Sequence, residues 1–122
     1  MTSLILSFLI FFGTSTTFSE VDRFNPNPNL ACLHRPLKKG ESALAHRTLP
    51  CGTRVMIYNP RTQLSTYSIV KDRGPYGKYP NGRFKSELDM TPRVAREIKH
   101  NGMEKVLFIA EDKPKKQRAP NS

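Results

Sequence analysis

The residue types best suited to chemistry in this chain are two carboxylates and one imidazole. Asp72 opens Asp72-Arg73-Gly74-Pro75-Tyr76 directly after a β-branched run. Gly74 tolerates unusual φ and Pro75 fixes the next dihedral, so a carboxylate at that corner is held in place. Such placement is what a proton donor to a glycosidic oxygen needs, together with a pKa raised toward neutrality. Lys71 and Arg73 flank Asp72, and the plainer reading is an aspartate capping its own turn. Asp89 stands before a helix start, either as a favourable charge near the positive end of the helix dipole or as a second acid facing Asp72. His46 lies between Ala43-Leu44-Ala45 and a Thr48-Leu49-Pro50 turn, as a hydrogen-bonded structural residue or as a partner to the acid. His34 and His100 read as surface residues. Three scattered histidines without short ligand spacing exclude a metal site, and nothing in the sequence calls for a cofactor.

Around these residues, strand signals dominate. Thr53 to Tyr58 alternates, with Val55 and Ile57 on one face, and Asn59-Pro60-Arg61-Thr62-Gln63 turns the chain. Leu64 to Val70 returns it, a Gly- and Pro-rich loop runs from Asp72 to Gly82, and a short strand leads through Phe84 and Leu88 into Asp89. Thr91 as N-cap and Pro92 at the first helical position predict one helix with Val94, Ala95 and Ile98 on its apolar stripe, stopped by Asn101-Gly102. Lys105 to Ala110 is expected to be a central, buried strand. The loop also gathers Tyr76, Lys78, Tyr79, Arg83, Phe84 and Lys85. Aromatic rings stack on sugar faces, and arginine forks clamp carboxylates.

The 122-residue chain has a net charge of +10, which draws acidic partners such as nucleic acid, anionic lipid or a carboxylate- and phosphate-bearing wall polymer. Leu4 to Phe12 is an uncharged apolar run of signal-peptide length, so residues 1–19 are expected to be a cleaved leader, with no stable membrane anchor left after cleavage. Export disfavours nucleic acid as the partner. An even pair of cysteines in an exported chain predicts a Cys32–Cys51 disulfide. Residues 20–29 read as a linker, 30–112 as the folded domain, and 113–122 as a disordered basic tail.

Three ordered blocks carry a family resemblance. They are Ala45-His46-Arg47-Thr48-Leu49-Pro50 with Gly52-Thr53-Arg54-Val55, then Lys71-Asp72-Arg73-Gly74-Pro75-Tyr76, then Leu88-Asp89-Met90-Thr91 running into Val94-Ala95-Arg96. Together they resemble the RlpA-like (rare lipoprotein A-like) family. The resemblance implies a mainly β fold, a six-stranded double-psi β-barrel with one short helix. It also implies lytic transglycosylase activity on peptidoglycan, with His46 and Asp72 at positions implicated in activity and Asp89 at the barrel's second acid position. The stretch before His46 is shorter than in the family, and Gly40-Glu41 stands where a Gly-Glu block is expected. Glu41, Arg73, Tyr76 and Arg83 are the expected substrate contacts. The expectation is a monomeric periplasmic or secreted protein acting on peptidoglycan or another acidic wall polymer. The shortened stretch favours a different class of protein, a non-catalytic expansin-like module that binds wall polysaccharide.

Overall fold

A computed structural model describes residues 7–19 and 29–112. Six strands and one helix follow in chain order: β1 (Ser7–Thr17), β2 (Leu44–Ala45), β3 (Arg54–Asn59), β4 (Leu64–Asp72), β5 (Leu88–Met90), α1 (Pro92–Glu97) and β6 (Met103–Asp112). The strands close into a barrel in the order β1-β5-β2-β4-β3-β6. The pairs β1–β5 and β2–β4 run parallel, and the remaining pairs are antiparallel.

Period-two alternation builds the interior. Val55 and Ile57 from β3, Val70 from β4, Leu88 and Met90 from β5, and Val106 and Phe108 from β6 are fully buried. Leu44, Val94 and Ile98 complete that core, and each such side chain stabilises the fold by about 1.5–3 kcal/mol. The middle of β6, Val106 to Ala110, is apolar throughout, but only alternate residues point inward. Leu107 and Ile109 stay half-exposed on the outer face, in contrast to the expected buried run. A second apolar cluster lies outside the barrel wall, where Leu30 and Leu37 pack on Ala43 with Phe18 alongside.

The N-terminal apolar run differs from expectation. Ser7–Thr17, assigned from sequence to a leader, is β1, the longest strand, and it pairs with β6 from Ser7↔Asp112 to Thr16↔Met103. The folded unit therefore begins before residue 30. The cause is pairing: β1 supplies the edges that β5 and β6 need for closure, and its apolar side chains are largely exposed (Ile10 61 %, Phe12 60 %). Residues 1–6 of the expected leader, most of the expected linker (20–28) and the basic tail (113–122) lie outside the described residues.

Helix α1 starts at Pro92 after Thr91, as its sequence predicts, but it ends at Glu97, before Asn101-Gly102. Lys99 adopts a left-handed φ of 51°, which stops the helix early. The Thr91 hydroxyl does not cap the helix. It accepts the Ala43 backbone N–H instead (3.1 Å), tying α1 to β2.

Candidate functional site

The two candidate acids come together through strand register. Ala45 on β2 is the direct neighbour of Asp72 on β4 and of Asp89 on β5, and Asp89 is in turn the neighbour of Thr16 on β1. Adjacent strands lie about 4.8 Å apart, so the two aspartates sit roughly 10 Å apart at the backbone with Ala45 between them. Residues 29–41 lie against this row. The Ala31 N–H donates to the Asp72 carboxylate (2.8 Å), and Cys32 N–H donates to the Lys71 carbonyl (3.1 Å). The Thr16 hydroxyl makes a short hydrogen bond to the Asp89 carboxylate and lies 3.1 Å from the Ser86 hydroxyl. Leu88 and Met90 point into the core, so Asp89 between them faces the opposite side of the sheet.

His46 follows Ala45 directly, and its ring turns the other way. It is buried, with its centroid 6.3 Å from those of Phe108 and Phe11. Its Nδ1 accepts the backbone N–H groups of Thr48 (3.1 Å) and Leu49 (3.0 Å). Two donors aimed at one ring nitrogen require a lone pair there, so the proton of the neutral ring sits on Nε2. Burial holds the His46 pKa below its ordinary value, and the charges of Arg47 and Arg73 push the same way against Glu87. The imidazole is thus the neutral cap of the Thr48-Leu49-Pro50 turn. The link between His46 and Asp72 is a backbone hydrogen bond, His46 N–H to the Asp72 carbonyl (3.2 Å). Among the described residues no side-chain hydrogen bond joins them.

Two expected substrate contacts are engaged within the protein. Arg73 donates to the carbonyls of His46 (3.2 Å) and Leu49 and reaches Cys51 Sγ (3.4 Å), clamping the same turn. Glu41 accepts both guanidinium nitrogens of Arg35 (2.9 and 2.8 Å), the Lys38 N–H (2.9 Å) and Lys71 Nζ (2.9 Å). The Arg35 hydrogen bonds, helped by Lys38 and Lys71, hold the Glu41 carboxyl far below the usual carboxylate range, against the opposing effect of its burial. Glu41 is therefore ionised at any physiological pH and has no proton to donate. The Cys32–Cys51 disulfide forms as expected, with Cα atoms 5.6 Å apart, and it anchors residues 29–41 to the turn that His46 caps.

Tyr76 and Arg83 lie on the loop after Asp72, and both are exposed. The loop is well pinned. Lys78 bridges to Phe84, Tyr79 N–H donates to the Arg83 carbonyl (2.8 Å), and Lys85 N–H donates to the Gly77 carbonyl (2.9 Å). Arg47, which the sequence reading left without a role, is its main fastener. The Arg47 guanidinium lies 3.7 Å from the Phe84 ring centroid, donates to the carbonyls of Pro75 (2.6 Å) and Ser86 (2.8 Å), and pairs with Glu87. Two phenol rings are left facing solvent, Tyr76 at 61 % exposure and Tyr79 at 48 %. Lys85 Nζ stands 5.6 Å from the Tyr79 ring. His100, expected on the surface, is half-buried: its Nδ1 accepts the Gly102 N–H and its Nε2 donates to Ser15 Oγ (2.7 Å).

No protein-family profile matches the chain, and neither does any curated protein. Among solved structures it resembles cerato-platanin 3 from M. perniciosa, with a TM-score of 0.55 and 16 % identity over 84 % of this chain and 95 % of that one. At that identity the likeness speaks for the fold alone. The closed six-stranded barrel with one short helix, taken with this likeness in fold, makes the chain a six-stranded double-psi β-barrel.

Proposed function

We propose that this barrel is a non-catalytic, expansin-like module that binds acidic cell-wall polysaccharide outside the cytosol. The observation that carries the reading is the contrast around Asp72. On one side, the expected assisting imidazole and two expected substrate contacts are committed to structure: His46 caps a turn, Glu41 is locked by Arg35 and Lys71, and Arg73 clamps backbone carbonyls. On the other side, a rigid loop offers Tyr76 and Tyr79 to solvent beside Lys78, Arg83 and Lys85. Exposed rings on a held backbone meet the flat faces of sugars with little ordering cost, and the adjacent cations meet glycan carboxylates. The disulfide and the cerato-platanin-like fold support a location in an oxidising compartment.

Co-sedimentation of the purified chain with peptidoglycan sacculi tests the reading. Replacing Tyr76 and Tyr79 by alanine is expected to weaken retention by about tenfold, roughly 1.4 kcal/mol. Retention unchanged in that double variant removes the loop as the binding surface.

One observation favours a second reading, the RlpA-like lytic transglycosylase. Asp72 and Asp89 flank Ala45 in register, which places the two acidic residues two strands apart along one row of the sheet. In that reading Asp72 protonates the glycosidic oxygen and then assists closure of the anhydro ring, with Asp89 and His46 in support.

A further inference from the structure

Away from the tyrosine loop, α1 borders two adjoining depressions that share Pro92 and Arg96. The smaller, about 190 Å³, lies between α1 and the turn Leu37–Glu41. The larger, about 620 Å³, lies between α1, the end of β1 and the turn Lys99–Gly102. Their charge is one-sided. Lys38, Lys39, Arg93 and Arg96 line the first, and Arg96 and Lys99 line the second. Lys38, Lys39, Arg96 and Lys99 make no ion pair among the described residues, and Arg93 has one loose ion pair, with Glu97 (3.8 Å), beside a long hydrogen bond to the Gly40 carbonyl (3.4 Å). The single carboxylate in the lining, Glu41, is already neutralised by Arg35 and Lys71.

We infer that this continuous basic cleft is an anion-binding site for the repeated oxyanion groups of a wall polymer. Unneutralised like charges around a concavity repel one another and are relieved when an anion enters. The lysines and arginines supply only donors, which matches phosphate or carboxylate oxygens. No Phe, Tyr or Trp lines either depression, and the one ring there, the half-buried His100, is held by Ser15 and Gly102, so the cleft reads charge and has little platform for stacking bases or sugar rings. The disulfide supports an oxidising compartment, where nucleic acid is scarce, and so favours a wall polyanion over DNA or RNA, a choice that rests on the proposed function. The site is separate from the tyrosine loop. Together the two surfaces would hold one polymer by its rings and another, or the same one, by its charges.

The test uses the full chain and probes without sugar stacking faces. Binding of long-chain inorganic polyphosphate is measured by titration calorimetry, with polygalacturonate and a double-stranded DNA in parallel. Arg96→Glu is expected to weaken polyphosphate binding at least tenfold. Lys105→Glu, on exposed β6 and equal in charge change, is expected to weaken it less than twofold. The Tyr76→Ala/Tyr79→Ala variant is expected to bind polyphosphate like wild type, so the cleft is tested independently of the glycan loop. Stronger binding of polyphosphate than of polygalacturonate identifies phosphate as the group recognised, and the reverse identifies carboxylate. Equal losses in the Arg96 and Lys105 variants, or tighter binding of DNA than of either polymer, overturn the inference. Circular dichroism of each variant confirms folding before its affinity is read.

Discussion

Replacing Glu41 by glutamine separates a structural role from a substrate-binding one. The Glu41 side chain is 9 % exposed and faces Arg35 at 35 % and Lys71 at 23 %. Glutamine keeps the shape, removes the charge, and turns a donor group toward two cations that are already donors. Charge-assisted hydrogen bonds contribute about 1.5–3 kcal/mol each. The partial exposure of Arg35 and Lys71 reduces that, leaving a net cost of about 2 kcal/mol. For a domain of this size that is a fall in Tm of roughly 10 °C, readable by thermal circular dichroism at pH 7. The pH dependence has a definite sign. The folded-state pKa of Glu41 is depressed, so its stabilisation is fully present above the unfolded carboxylate value, about 4.3. It is lost as pH falls from there through the lower native value, so the gap between wild type and Glu41→Gln should narrow steadily below about pH 4. Sacculus binding, normalised to folded protein, should not change. A variant with wild-type Tm but lost binding would refute the reasoning and return Glu41 to the substrate-contact set.

Other outcomes follow from the same geometry. Cys32→Ala/Cys51→Ala opens a loop with a sequence separation of 19 and should cost on the order of 3 kcal/mol in urea unfolding. A midpoint unchanged from wild type would mean the tether adds nothing. A chain beginning at Phe18 lacks β1 and leaves β5 and β6 without their shared neighbour, so it should show no cooperative thermal transition. Cooperative unfolding of that truncated chain at the wild-type temperature would restore the leader reading of residues 1–19.

Much of the barrel was legible because its signals are local. Alternation in Thr53 to Tyr58 and the Thr, Tyr, Ile and Val content of Leu64 to Val70 announced β3 and β4, and Thr91-Pro92 announced α1. β1 was not, because Leu4 to Phe12 is uncharged and apolar at every position but Ser7. Such a run suits a leader's apolar segment as well as a strand, and only pairing with β6 distinguishes them. In the candidate site, the sequence blocks marked Asp72 and Asp89 as candidates, but their separation comes only from the register of β4, β2 and β5, and the use of each side chain was not encoded locally either. The Nδ1 of His46 is occupied by backbone N–H groups two and three residues on, which looks in sequence like any turn. Glu41 meets Lys71 across thirty positions of chain, a contact that no local pattern encodes. The basic cleft was equally hidden: Lys38 and Lys39 reach Arg93 and Arg96 only once β2 draws the turn Leu37–Glu41 against α1.

The claim that most needs a direct test is that the barrel holds wall glycan without cutting it. Purified chain incubated with peptidoglycan sacculi, followed by sedimentation and mass analysis of the soluble fraction, reads both properties from one sample. The account predicts protein retained in the pellet and no anhydro-muropeptides above the level released by an Asp72→Asn variant. Anhydro-muropeptides released by wild type and abolished in Asp72→Asn would contradict it and establish the transglycosylase instead.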